Sequence, residues 1–136
     1  MINDLSKQIH AINVKNGFYE NEKNIGEMLA LIHSEVSEAL ECDRKNKYST
    51  RLLLAARAAK EGEEPMSLYE LLPIVKDLDY KQHFEKLFKD TFEDELADIM
   101  IRVMDLAAYK GIDLETHIKA KMKYNSMREY KHGKKY

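Results

Sequence analysis

Residues 91–111 read TFEDELADIMIRVMDLAAYKG, and how this stretch is understood decides the fold. From Leu96 onward nearly every position is apolar: Leu96, Ala97, Ile99, Met100, Ile101, Val103, Met104, Leu106, Ala107 and Ala108. A helix apolar most of the way round is normally a buried one. Glu95, Asp98, Arg102 and Asp105 interrupt it at spacings of three, four and three. At about 3.6 residues per turn these four fall in a single stripe. The stripe is expected to face the interior or a cleft. Carboxylates there have to be paired, hydrogen-bonded or metal-bound, because an unpaired buried charge costs on the order of several kcal/mol.

A second stretch answers the first. Residues 25–43 read IGEMLALIHSEVSEALECD, in which Met28, Leu29, Leu31, Ile32, Val36 and Leu40 supply the apolar face of another helix, with Glu35 and Glu38 three apart beside it. Packed antiparallel, the two helices can direct Glu35, Glu38, Glu95 and Asp98 at one volume. Four oxygen donors without a Cys suit a hard divalent ion, Mg²⁺ or Mn²⁺. Acidic pairs three apart are also common on solvated helix faces. What separates these two from that background is that both lie on strongly apolar helices.

The helix boundaries follow from local chemistry. Thr91 with Asp94 resembles a capping box that opens the 91–111 helix and puts Glu95 in its first turn. Gly111 closes that helix and Asp113 caps the next. This last helix carries Lys119, Lys121, Lys123, Arg128, Lys131, Lys134 and Lys135 against only Glu129 after Glu115. It is either a solvated basic tail or an anion-binding segment suited to phosphates. At the other end, Ile2, Leu5, Ile9 and Ile12 recur at helical spacing until Asn16-Gly17 breaks the pattern, so a first helix should end near Lys15. Phe18 and Tyr19 follow in a loop, where they can pack onto the bundle or stack on a ligand base.

Between the two acidic helices, residues 44–90 are the least legible. Ser49 is a candidate cap for a short helix through LLLAARAAK, which Gly62 and Pro65 end. Ser67 with Glu70 forms a capping box for SLYELL, and Pro73 kinks or stops that helix. In YKQHFEKLFK, Phe84, Leu87 and Phe88 are the candidate buried side. The stretch reads as a helical insertion, at about 44–90, packed on the bundle.

Composition sets the limits. A chain of 136 residues, 44% hydrophobic and 34% charged, with two Pro and five Gly, points to one all-α domain over 1–136. The single Cys42 cannot make an internal disulfide, which favours a reducing compartment and excludes a Cys-type structural zinc site. No apolar run approaches a signal peptide or a membrane span, so a soluble cytoplasmic protein without membrane association is expected. A formal net charge of −2 gives no overall reason to expect nucleic-acid binding. A helix as apolar as 96–108 also needs partners on several sides, so a homodimer or higher homo-oligomer is expected.

With these residues assembled, the chain resembles the MazG-like family of all-α nucleoside triphosphate pyrophosphohydrolases. That family carries an ExxE pair on one helix and an ExxD pair on the next major one. Here the pairs are Glu35-Val-Ser-Glu38 and Glu95-Leu-Ala-Asp98. The flanks IHSEVSEALE, DTFEDELADIMIRVMDLAAYKGIDLE and KMKYNSMREYKHGKK, and the NGFY loop at 16–19, are similar as well, so that the resemblance covers roughly 12–42 and 90–135. It implies an all-α bundle in which Glu35, Glu38, Glu95 and Asp98 bind Mg²⁺ and are the catalytic residues. The implied reaction is cleavage of an NTP or dNTP between its α and β phosphates, giving the monophosphate and pyrophosphate. It further implies that Lys121, Lys123, Asn125, Arg128 and Lys131 contact phosphates, and that Lys15, Phe18 and Tyr19 fall where base or sugar is held. Two departures stand out. An extra Glu that directly precedes the first pair in the family is Ser34 here, and the gap from Glu38 to Glu95 is much longer than in compact members.

Three other readings compete. A phosphoribosyl-ATP pyrophosphohydrolase would share metal site and chemistry and differ in substrate. A ferritin-like di-iron protein would need Glu-x-x-His motifs, which neither pair supplies. A non-enzymatic helical interaction module using the basic C-terminus leaves the acidic stripe unexplained.

Overall fold

The computed structural model describes residues 1–49, 81, 82, 84, 85 and 88–128. Among these the regular elements are all helical: α1 (Ile2–Lys15), α2 (Ile25–Arg44), α3 (Phe92–Tyr109) and α4 (Leu114–Ser126). The all-α class expected from composition is what these residues form. None of the described helices is long and apolar enough to cross a membrane. The chain divides into two compact units, Met1–Met28 with Ile101–Tyr136, and Leu29–Met100.

Three helices end through the same backbone device, each with a residue in the left-handed region just past the end. After α1, Gly17 (φ 84) lets Phe18 N–H reach Asn13 O and its own N–H reach Val14 O. After α3, Gly111 (φ 64) lets Ile112 N–H reach Ala107 O and its own N–H reach Ala108 O. Asn46 (φ 53) does the same after α2, with Lys47 N–H to Cys42 O and its own N–H to Asp43 O. This paired bonding satisfies carbonyls that a helix end would otherwise leave open, and Gly and Asn tolerate the conformation best. Asp113 caps α4 by accepting from Thr116 N–H at 3.0 Å. At α3, Thr91 Oγ1 accepts from Asp94 N–H at 3.4 Å, but the Asp94 carboxylate accepts from Asp90 N–H at 3.0 Å rather than from Thr91. The box is therefore displaced by one residue from the expected one.

In the unit Leu29–Met100, α2 and the first half of α3 run antiparallel. Cys42 Sγ donates to Asp90 O at 3.5 Å, Phe92 N–H donates to Lys47 O at 2.9 Å, and Ser49 N–H donates to Glu93 Oε2 at 2.8 Å. Further along, Glu35 meets Glu95 and Asp98, so numbers fall on one helix as they rise on the other. In the unit formed by the two ends of the chain, α1 lies along the second half of α3, His10 and Asn13 meeting Asp105. The start of α1 is tied to the start of α4, where Asn3 Nδ2 donates to Asp113 Oδ1 at 2.7 Å and Glu115 N–H donates to Asn3 Oδ1 at 3.1 Å.

The expectation that the 91–111 helix is buried most of the way round is not met within the chain, and the expected apolar face of the 25–43 helix is largely exposed. Leu29, Leu31, Val36 and Leu40 on α2, and Leu96, Met100 and Ile101 on α3, are exposed. Among the described residues the buried apolar set is Ala39, Cys42, Met104 and Ala107. The line that α2 turns toward its own chain is Met28, Ile32, Glu35, Ala39 and Cys42, and Leu29, Leu31, Val36 and Leu40 lie off it. Residues 81, 82, 84 and 85 are helical, and Phe84 and Phe88 are half-buried with ring centroids 5.9 Å apart. The helices expected at LLLAARAAK and SLYELL, the kink at Pro73 and the burial of Leu87 lie outside the described residues.

Candidate functional site

The acidic residues meet as follows. Glu35 lies on the inward line of α2 and is 6% exposed; Glu95 lies in the first turn of α3 and is 5% exposed. Asp98 follows Glu95 by nearly one turn. Each of the three offers one carboxylate oxygen, and these oxygens all lie within 4.8 Å of one another. The fourth expected member, Glu38, is exposed and does not belong to the trio. It is nonetheless the strongest charge acting on Glu95. Burial first, then Glu38, Glu35, Asp94 and Asp98, push the Glu95 carboxyl up to about 7. Burial also raises Asp94, whose carboxylate is occupied by Asp90 N–H. Ser34, where the resemblance leads one to expect a further Glu, turns its hydroxyl back onto Leu31 O at 2.7 Å.

A cluster of this kind raises its own proton affinity because each ionised carboxylate opposes the next. The charge can be relieved by protons or by a cation. The donor set is oxygen only, which matches a hard divalent ion rather than zinc. Opposite ligands of an ion with bonds of about 2.1 Å lie about 4.2 Å apart, so small side-chain rotations bring the three oxygens into range. The residues present fit Mg²⁺ or Mn²⁺.

The C-terminal candidates stand on or just beyond α4. Lys121, Lys123, Asn125 and Arg128 are all exposed. Lys121 Nζ lies 5.0 Å and the Arg128 guanidinium carbon 5.9 Å from the Tyr124 ring centroid, so both cations share one aromatic face group. Lys131 lies outside the described residues.

The two aromatics after α1 are treated differently. Phe18 is 57% exposed, and Lys15 in the last turn of α1 is exposed too. Tyr19 is used internally: its ring packs against His10 at 4.5 Å and Tyr109 at 5.2 Å, and its hydroxyl donates to Asp105 Oδ2 at 2.8 Å. Asp105, 8% exposed, also accepts from Asn13 Nδ2 at 2.8 Å and pairs with His10 Nδ1 at 2.7 Å. An ionised carboxylate can only accept, so Nδ1 of His10 carries the proton. Burial and the Asp105 carboxylate together push the Tyr19 phenol well above its ordinary range.

Asp105 belongs to the polar stripe legible in the sequence, but its partners His10 and Asn13 do not stand out there. Their signal is a polar pair three apart on a helix of apolar spacing, the same kind that marks Glu35 and Glu38. No family model, characterised protein or solved structure matches this chain.

Proposed function

We propose that the protein is a Mg²⁺-dependent nucleoside triphosphate pyrophosphohydrolase of the MazG-like kind, converting NTP or dNTP and water to the monophosphate and pyrophosphate. One observation carries the reading: carboxylate oxygens of Glu35, Glu95 and Asp98 gathered within 4.8 Å from two antiparallel helices, in the ExxE then ExxD order. A bound divalent cation supplies neutralisation of the phosphate oxygens and of charge developing on the pyrophosphate leaving group. Glu35, Glu95 and Asp98 are the residues that would hold it. Glu38 is exposed beside them and free of the trio, which suits its carboxylate to take the proton of the attacking water. No Ser or Cys nucleophile is needed. Lys121, Lys123, Asn125 and Arg128 are assigned to the triphosphate. Phe18 and Lys15 are assigned to the base or sugar, and Tyr19 is reassigned from that group to a supporting role.

The exposed Leu29, Val36, Leu40, Leu96 and Met100 support a second copy of the chain as the partner, a homodimer or larger assembly. The test is incubation with a panel of ribo- and deoxyribonucleoside triphosphates and Mg²⁺, followed by product analysis. Monophosphate and pyrophosphate are expected from at least one of them, lost in Glu35→Ala and Asp98→Ala. Absence of turnover across the panel, or release of diphosphate and inorganic phosphate, rejects the proposal.

A further inference from the structure

The network around Asp105 shares no residue with the acidic trio and has no role in the chemistry above. Its geometry is specific. The two carboxylate oxygens are divided, Oδ1 to His10 and Oδ2 to both Asn13 and Tyr19. Asn13 and Tyr19 in turn flank the one exposed aromatic of the loop. Asn13 O accepts from Phe18 N–H at 3.0 Å while its side chain holds Asp105, and Tyr19 is the residue after Phe18. Asp105 therefore holds the side chains of two residues that bracket Phe18, Asn13 and Tyr19.

The ends of the loop are tied locally. Gly17 sets the turn out of α1, and Asn24 Oδ1 accepts from Gly26 N–H at 2.8 Å and Glu27 N–H at 3.3 Å at the start of α2. Between those ends, Tyr19 joins the loop to α1 and α3. Its hydroxyl is on Asp105, its ring lies against His10 and Tyr109, and Lys23 Nζ lies 5.6 Å from the ring centroid. His10, by filling Oδ1, fixes the plane of the carboxylate and so the direction of Oδ2.

We infer that Asp105 is a positioning residue: through Tyr19 and Asn13 it fixes residues 16–24 in the conformation that presents Phe18 to the nucleotide. This rests on the nucleotide reading proposed above. A loop ordered beforehand binds at its intrinsic affinity. One that is ordered only part of the time binds more weakly in proportion to the competent fraction. Loss of a hydrogen bond to a charged group is enough to change that fraction by about tenfold or more. Because the bound nucleotide would itself order the loop, the deficit falls on KM and spares kcat.

The test uses the full chain and two variants. Tyr19→Phe keeps the ring and its stacking and removes only the hydroxyl. Asp105→Asn keeps the shape and changes the acceptor. Hydrogen exchange of residues 16–24 and steady-state kinetics with Mg²⁺ and the accepted nucleotide are measured for each. Faster exchange in 16–24 with residues 29–44 unchanged, and KM raised about tenfold with kcat retained, are expected. If Asp105→Asn does not fold, Tyr19→Phe decides alone. Unchanged exchange in 16–24 overturns the inference, and so does faster exchange with an unchanged KM. A wild-type protein that turns over no nucleotide sinks the functional reading instead, and exchange in the variants still decides whether Asp105 holds the loop.

Discussion

Replacing Glu95 by Gln is expected to remove an alkaline weakness from the metal-free protein. Burial and the neighbouring carboxylates raise the Glu95 carboxyl from 4.5 to about 7. Folding therefore favours its protonated form. The resulting stabilisation is complete below the unfolded value near 4.5 and is lost as pH rises through about 7. A gap of about 2.5 pH units at about 1.36 kcal/mol each sets a ceiling of about 3.4 kcal/mol. Glu38 is exposed, and water screens its share, so about 1–2 kcal/mol is the expected size. At this chain length that corresponds to about 3–10 °C in melting temperature. The assay is thermal melting in EDTA from about pH 5 to about pH 8, wild type against Glu95→Gln, since Gln mimics the protonated acid and other titrations cancel in the difference. The variant's advantage should grow with pH, and Mg²⁺ should restore the wild type at the alkaline end. Parallel curves for the two proteins would refute the claim that Glu95 is electrostatically crowded.

The Asp113 carboxyl is held down to about 2 by Asn3 and then Thr116, below its ordinary 3.8. Its contribution is thus present above about 3.8 and lost as pH falls toward 2, and Asp113→Ala should delete that limb of the acid unfolding curve. The exposed stripe of α2 predicts that sedimentation finds an assembly larger than one chain at micromolar concentration, and that Val36→Lys dissociates it without unfolding α2. A monomeric wild type refutes the second-copy partner.

What was legible in the sequence was whatever local chemistry decides. Gly17 and Gly111 end helices because only a left-handed residue completes the paired bonds there, and Asp113 caps because its side chain reaches a backbone N–H three residues on. The helical period located α2 and α3, but it did not say which apolar stripe faces the chain. On hydrophobicity alone Leu29, Leu31, Val36 and Leu40 should face inward, whereas Glu35, Ala39 and Cys42 do. Glu35 stands on that inward line and so meets Glu95 and Asp98, and the site and the unexpected inward line have one cause. The meeting of Glu35, Glu95 and Asp98 was anticipated from spacing because two acidic pairs on antiparallel helices converge. The exposure of Glu38 depends on its rotation about α2, which a spacing of three fixes only coarsely. His10 and Asn13 acquire meaning only opposite Asp105, some ninety residues away in sequence.

Helix α3 carries two buried carboxylates ten residues apart, and the fold treats them oppositely. Asp105 has three donors at 2.7–2.8 Å, each from a different residue, so its charge is balanced by hydrogen bonds and the group serves as a structural tie. Glu95 is instead crowded by Glu38, Glu35, Asp94 and Asp98 and pushed toward neutrality. Were stability the only demand, apolar residues at Glu35 and Glu95 would serve it better, since buried ionisable groups cost more than well-packed isosteres. Among the described residues, the buried apolar side chains are Ala39, Cys42, Met104 and Ala107. On the proposed reading, a cation bound at the acidic cluster and a partner surface over the exposed Leu and Met side chains would each stabilise the folded chain by mass action. Asp105, already satisfied from within, needs neither, and that contrast within one helix is the physical argument for assigning ligand chemistry to Glu95 and positioning to Asp105.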